Sequence, residues 1–218
     1  MVVAALVWLL GACAPAADAP SGRPAGTAAD QPASAPAATV AAAAPAPAGT
    51  GLVLLTGSAT GGIHRYGTAF AALATEEVAG LSLVAEVTGG SVENLAALIA
   101  GRADIGISVG DVLAAAVTRS GAFAGLGPGE LNVLAVIAIA DLELFFVVRG
   151  DLADDLAHAL TATLVDRRAD VAARAGMTSA PIEERTLALA VAGVRLHPGS
   201  VRYFEDAGAV VPDALSGG

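Results

Sequence analysis

Short apolar runs alternate with amphipathic segments through the first part of the chain after residue 50. Leu52–Leu55, Leu81–Val87 and Asp104–Ser108 have the length and apolar content of buried strands. Between them, apolar residues recur at helical spacing after Gly61 and again from Ser91 to Ile99. Strand–helix–strand alternation at this spacing predicts βαβ units and a parallel sheet.

The pattern changes after a glycine-rich segment at 121–129. Leu131–Ile139 and Leu144–Arg149 have the character of strands, and the acidic residues between them argue against one long membrane span. Beyond Asp151 the periodicity is helical, with predicted helices at Leu156–Ala175, Pro181–Ala192 and Gly199–Ala207. We therefore expect an α/β fold: a mostly parallel open sheet with flanking helices in residues 51–155, and C-terminal helices packing on it in residues 156–218.

The N-terminal segment has the features of an export signal. Residues 2–10 form an apolar run that is too short to span a bilayer, which needs about 20 apolar residues. Small residues and Cys13 follow, as at a cleavage site. Residues 10–13, Leu-Gly-Ala-Cys, resemble a bacterial lipobox, which implies that Cys13 carries an acyl anchor and that residues 1–13 are the signal. The alternative is an ordinary secretory signal with an incidental cysteine.

Residues 14–50 are almost entirely Ala, Pro, Gly, Ser, Thr and Asp. Such a segment cannot bury enough apolar surface to offset its ordering entropy, so we expect a disordered tether. The expected location is extracytoplasmic, with the folded part held at the cell membrane by the N-terminal lipid.

Charge and composition narrow the function classes. The net charge is −10 and all eleven basic residues are arginine, so we expect no binding to nucleic acid. A P-loop needs a lysine, which the chain lacks. Three scattered histidines and one cysteine give no zinc-binding spacing, so no metal or other cofactor is expected.

Two glycine-containing loops are the candidate ligand-binding elements. Gly57–Gly61 and Thr88–Ser91 each follow a predicted strand and begin a helix. In an open parallel sheet both lie at the carboxyl edge, where ligands bind, and free N–H groups at helix starts favour an anion. Ser58, Thr60 and Ser91 add hydroxyl groups. The alternative is that the glycines only form turns and Ser91 only caps its helix.

Five segments resemble the TAXI-type solute receptors of TRAP transporters. These are Gly57–Gly61, Thr88–Leu95, Gly101–Ile107, Leu144–Arg149 and the run Leu196–Phe204, which is similar to a C-terminal signature of the family. The resemblance covers most of Leu52–Gly208. It implies one lobe of a type II periplasmic-binding-protein fold, a small organic anion such as a dicarboxylate or an amino acid as ligand, TRAP membrane subunits as partners, and no enzymatic activity.

The chain also departs from that family. Ile63 and His64 stand where the family has two aromatic residues, and Val109–Gly110–Asp111 replaces a Gln-Ser-Asp segment of which the Asp alone matches. Only about Gly150–Asp155 stands where the family has a second α/β lobe, so we expect weakened binding. The predicted ligand-binding residues are Ser58, Thr60, Gly61, His64, Gly89, Gly90, Ser91 and Asp111.

One enzyme motif competes with the binding interpretation. Residues 106–110 fit G-x-S-x-G, the nucleophile elbow of α/β-hydrolases, between a predicted strand and helix. A serine esterase would use Ser108 as nucleophile. His158 or His197 would be its base, and Asp166 or Asp170 its acid. The motif is weak evidence in a chain with 26 glycines. A structural or non-functional lipoprotein remnant is the other alternative.

Overall fold

Six strands and eight α-helices make up the part of the chain that the computed structural model describes, namely residues 49–139, 142–178, 182–189, 191 and 193–217. The expectations for residues 1–48, including Cys13 and the tether, lie outside these residues. The strands are β1 (Thr50–Leu55), β2 (Leu81–Glu86), β3 (Ile105–Ser108), β4 (Leu131–Ile139), β5 (Leu142–Arg149) and β6 (Arg195–Leu196). The helices are α1 (Gly62–Glu77), α2 (Ser91–Ile99), α3 (Gly110–Val117), α4 (Asp154–Asp166), α5 (Arg168–Ala175), α6 (Glu183–Leu187), α7 (Pro198–Asp206) and α8 (Asp213–Ser216).

The strands form one mostly parallel open sheet in the order β2-β1-β3-β5-β4-β6. β1 pairs in parallel with β2 and β3, and β4 pairs in parallel with β6. β5 is antiparallel to both of its neighbours. The expected α/β class is confirmed, and the sheet with flanking helices is consistent with one lobe of a periplasmic-binding fold.

Helices cover both faces of this sheet. On β5, the ring of Phe146 packs edge-on against Phe70 of α1, with ring centroids 5.2 Å apart. The ring of the adjacent Phe145 lies against Gly110 at the start of α3. Successive residues of a strand point to opposite faces, so α1 and α3 lie on opposite sides of the sheet.

Gly67 allows α1 to pack closely on the end of β1. A β-carbon at this position would overlap the Thr56 methyl group and would also contact Ile107 and Leu54. Any larger residue would therefore move α1 away from the sheet. The first turn of the helix is held beside Thr56 as a result.

The C-terminal part differs from the predicted helices in several places. Of these, α6 ends at Leu187 rather than at Ala192, and α8 was not predicted. The expected helix 156–175 divides at Arg167 into α4 and α5, and the guanidinium of Arg167 is bound by Asp170 and Glu77. Residues 195–196 form β6 because they pair with β4. Two residues are too few to carry a strand period, so the sequence pattern could not show this strand.

Among the described residues, no helix is both long enough and apolar enough to cross a membrane.

Candidate functional site

Three helices begin at the carboxyl edge of the sheet, directly after three parallel strands. α1, α2 and α3 follow β1, β2 and β3, and their N-cap residues are Gly61, Gly90 and Val109. None of these caps makes a side-chain hydrogen bond to its helix. The first turns of α1 and α2 thus keep backbone N–H groups that no N-cap side chain satisfies, and such groups favour an anion.

The two predicted loops lie side by side at this edge. The backbone N–H of Thr88 donates to the carbonyl oxygen of Gly57 at 3.2 Å. In the first loop, Gly61 N donates to Ser58 O at 2.9 Å and closes a turn that leaves Ser58 and Thr60 exposed. The structure therefore brings together the two loops that the sequence analysis selected.

The second loop satisfies more of its own backbone than expected. Gly90 has φ +117°, a conformation that suits glycine. Its N–H donates to Thr88 Oγ1 at 3.2 Å, and Gly89 N–H donates to Glu93 Oε2 at 2.7 Å. Both glycine N–H groups already have partners, so they are less available to a ligand than the N–H groups that open α2.

Ser91 is not the cap of α2, contrary to the simple alternative considered for it. It is the first residue of the helix, and its hydroxyl oxygen accepts the backbone N–H of Val109 at 3.2 Å. This bond joins the loop after β2 to the loop after β3. The hydroxyl proton of Ser91 is left to donate elsewhere, since a hydroxyl can donate and accept at once.

Asp111 is not the N-cap of α3. It lies inside α3, and its Oδ1 accepts the N–H of the next residue, Val112, at 2.8 Å. The N-cap is Val109, and α3 begins at Gly110. The Asp111 carboxylate therefore occupies one of the N–H groups at this helix start.

Asp111 lines an open groove of about 650 Å³ between the start of α3 and the β4–β5 hairpin. Its walls include Leu142, Phe145 and an ion pair in which Arg185 Nη1 lies 3.0 Å from Glu143 Oε1. The other predicted ligand-binding residues are not among those that line this groove.

Asn94, which the sequence analysis did not select, joins the strands beneath the loops. Its side chain is fully buried. The amide nitrogen donates to the carbonyl oxygens of Thr56 at 2.8 Å and Ile107 at 2.7 Å, with Leu55 O at 3.3 Å, and the amide oxygen accepts the Thr88 hydroxyl at 2.6 Å. The sequence signal for this role was a polar residue on the apolar face of α2, since a buried amide requires hydrogen-bond partners.

His64 is held in the first turn of α1 by Thr56. Its Nδ1 lies 2.8 Å from Thr56 Oγ1, and that hydroxyl lies 2.7 Å from the carbonyl oxygen of Glu86. Thr56 is buried and His64 is partly exposed. His64 therefore lies beside the ends of β1 and β2, where the two loops begin.

The hydrolase residues do not assemble. Ser108 is fully buried at the end of β3, and its hydroxyl donates to the Val109 carbonyl oxygen at 3.0 Å. His158 pairs with Asp206 at 3.4 Å, while Asp166 accepts the Tyr203 hydroxyl and Asp170 pairs with Arg167.

His197, the other candidate base, caps α7. Its Nδ1 accepts the N–H of Gly199 at 3.1 Å. The imidazole is fully buried, and its Nε2 has no hydrogen-bond partner among the described residues. Burial lowers the pKa of His197 from its ordinary value of 6.5, and the nearby Asp154 carboxylate opposes this only in part. The residue caps α7 and lies outside the loop site.

In the described part of the chain, no group of three or more His, Cys, Asp or Glu residues could hold a metal ion.

A comparison with family models places the loop site inside a matched segment. Residues 54–143, from β1 to the start of β5, match the NMT1-like family. This is a periplasmic solute-binding family related to the binding proteins of TRAP and ABC transporters. No curated protein matches the chain. The match suggests an extracytoplasmic solute-binding role, in a family that is generally non-enzymatic.

Proposed function

We propose that the chain is the solute-binding lipoprotein of a TRAP-type transport system of the TAXI kind, and that it binds a small organic anion, a dicarboxylate or an amino acid. The observation that carries this proposal is the meeting of two uncapped helix starts, those of α1 and α2, at one sheet edge within the segment that matches a solute-binding family. The proposed ligand-binding residues are Ser58, Thr60, Gly61, His64, Gly89, Gly90, Ser91 and Asp111.

The chemistry of the edge favours a carboxylate. An exposed helix start stabilises an anion by about 0.3–1 kcal/mol, and each hydroxyl hydrogen bond adds about 1 kcal/mol net. Two helix starts and the hydroxyls of Ser58, Thr60 and Ser91 together give a few kcal/mol. A binding free energy of about −4 kcal/mol corresponds to a dissociation constant of about 1 mM. The open edge thus supports weak capture, which a second surface closing on it would strengthen.

The N-terminal segment is proposed to hold the protein at the cell surface. Cys13 would carry the lipid anchor, and residues 14–50 would let the folded part stand off the membrane and meet the TRAP membrane subunits. No cofactor, metal or nucleic acid takes part in this function.

Isothermal titration of the full chain with succinate and with glutamate tests the proposal. We expect a dissociation constant near 1 mM for at least one of them. Ser91→Ala should weaken binding several-fold, whereas Ser216→Ala, which removes a hydroxyl from the distant α8, should leave it unchanged. If a wide panel of small carboxylates produced no heat of binding, the proposed site would be contradicted. Equal effects of Ser91→Ala and Ser216→Ala on binding would also contradict it.

A further inference from the structure

We infer that His64 selects ligands that carry a hydrogen-bond donor beside their carboxylate, such as 2-hydroxy and 2-amino acids. This inference rests on the proposed function, because it names the ligand class of the same site. It starts from the hydrogen-bond chain that runs from the sheet edge to the imidazole: Glu86 O, Thr56 Oγ1 and His64 Nδ1.

The direction of each bond in this chain is fixed by proton counting. A carbonyl oxygen can only accept, so the Thr56 hydroxyl donates its single proton to Glu86 O at 2.7 Å. That hydroxyl has no second proton for the 2.8 Å contact with His64. The imidazole must therefore donate, which places the proton of neutral His64 on Nδ1.

The proton on Nδ1 of His64 also determines the state of its other ring nitrogen, Nε2. Neutral imidazole carries one proton, so Nε2 of His64 presents a lone pair and acts as a hydrogen-bond acceptor. No hydrogen bond joins this atom to any other described residue. The ring is partly exposed, and His64 belongs to the same first turn of α1 as the backbone N–H groups of Gly62 and Ile63.

Backbone donors and a side-chain acceptor thus belong to one helical turn at the start of α1. The backbone N–H groups suit a carboxylate, and Nε2 suits a hydroxyl or amino group on the adjacent carbon. A 2-oxo group offers only lone pairs and would face the Nε2 lone pair unfavourably. The expected order is therefore 2-hydroxy or 2-amino acids first, unsubstituted acids next and 2-oxo acids last.

An aromatic ring without an acceptor atom at position 64 would not provide this ligand selectivity. Phenylalanine would keep the planar wall and remove the acceptor. Thr56 is the positioning residue, since it holds the ring and selects the tautomer through its hydroxyl. Serine at position 56 would preserve this hydroxyl, and valine would preserve the shape without it.

The test uses matched ligand pairs on the full chain at pH 8, where imidazoles are neutral. Malate is compared with succinate, and 2-hydroxyglutarate with glutarate and 2-oxoglutarate. We expect the hydroxy acid to bind about fivefold more tightly than its unsubstituted partner, as one net hydrogen bond provides. His64→Phe should abolish this ratio, Thr56→Val should reduce it, and Thr56→Ser should retain it.

A second measurement needs no ligand. Long-range ¹H–¹⁵N NMR of the free protein reports which ring nitrogen of His64 is protonated, and we expect Nδ1. Protonation on Nε2 would overturn the inference. So would equal binding of the paired acids, or a ratio that survives in His64→Phe, while the proposed function would stand. Failure of every acid to bind would instead contradict the proposed function and this inference with it.

Discussion

The side-chain nitrogen of Asn94 lies 2.7 Å from the carbonyl oxygen of Ile107, and this hydrogen bond ties α2 to the end of β3. The same amide reaches the end of β1 at Thr56 O. A single buried side chain thus fixes the relative positions of the strands from which the candidate site projects.

Replacing Asn94 with leucine should destabilise the protein by about 2–4 kcal/mol. The change keeps the volume but removes the donor shared by three buried carbonyl oxygens and the acceptor for Thr88. Urea unfolding measures the effect. Val92→Ala, an exposed change on the same helix, should cost less than about 0.5 kcal/mol. Similar values for the two variants would contradict the structural role of Asn94.

The stability of the protein should fall as the pH drops through about 6.5. Burial lowers the pKa of His197 in the folded chain, so below pH 6.5 the unfolded chain binds a proton that the folded chain does not. The free energy of unfolding then decreases with falling pH by up to about 1.4 kcal/mol per pH unit, until the lowered pKa is reached.

Two variants separate this effect from other titrations. His197→Asn keeps an oxygen acceptor for the Gly199 N–H at the start of α7 and removes the titrating group. Its stability should lose the pH dependence between 5.5 and 7. His158→Asn removes a histidine whose side chain is partly exposed and should keep the dependence. The same slope in His197→Asn as in the unaltered protein would refute the assignment.

Ser108 should not react with a fluorophosphonate probe. Its hydroxyl is buried and donates to a backbone carbonyl, and no described histidine is its hydrogen-bond partner. Mass spectrometry of the probe-treated full chain, beside an active serine esterase as positive control, measures the labelling. Stoichiometric modification that disappears in Ser108→Ala would instead favour the hydrolase alternative.

The βαβ order could be predicted from the sequence because each element has its own period. Runs such as Leu52–Leu55 and the spaced apolar residues of Ser91–Ile99 define strand and helix locally. β6 could not be predicted, since its two residues are strand only through pairing with β4. The position of α6 likewise depends on a tertiary contact, in which Thr186 Oγ1 accepts the N–H of Val136 at 2.9 Å.

The sequence predicts which loops form the candidate site, because the strand order brings those loops together. It does not predict the contacts within the site. Strand order places the loops after β1 and β2 together, which the Thr88–Gly57 hydrogen bond confirms. The role of Asn94 could not be predicted in the same way, because the carbonyl oxygens that accept its amide protons lie 13 to 39 residues away along the chain. The tautomer of His64 depends on Thr56 and Glu86, which meet only in the folded sheet.

Membrane association should depend on Cys13. The lipobox-like run at residues 10–13 predicts an acyl anchor, so the full chain should fractionate with membranes and resist a high-salt wash. Cys13→Ala should be released into the soluble fraction. If neither protein, or both proteins, sediment with membranes, Cys13 is not the anchor.

The most direct measurement of the central claim is a map of amide shifts by NMR as the full chain is titrated with glutamate or malate. We predict saturable shifts at the loop residues and first helical turns, centred on Gly61, Gly62, Ser91 and Val92, with a dissociation constant near 1 mM. Gly90→Val should abolish them, because valine does not suit φ +117°. Shifts centred on Arg185 and Glu143 with none at Gly61 or Ser91, or submicromolar binding at any other surface, would contradict this site.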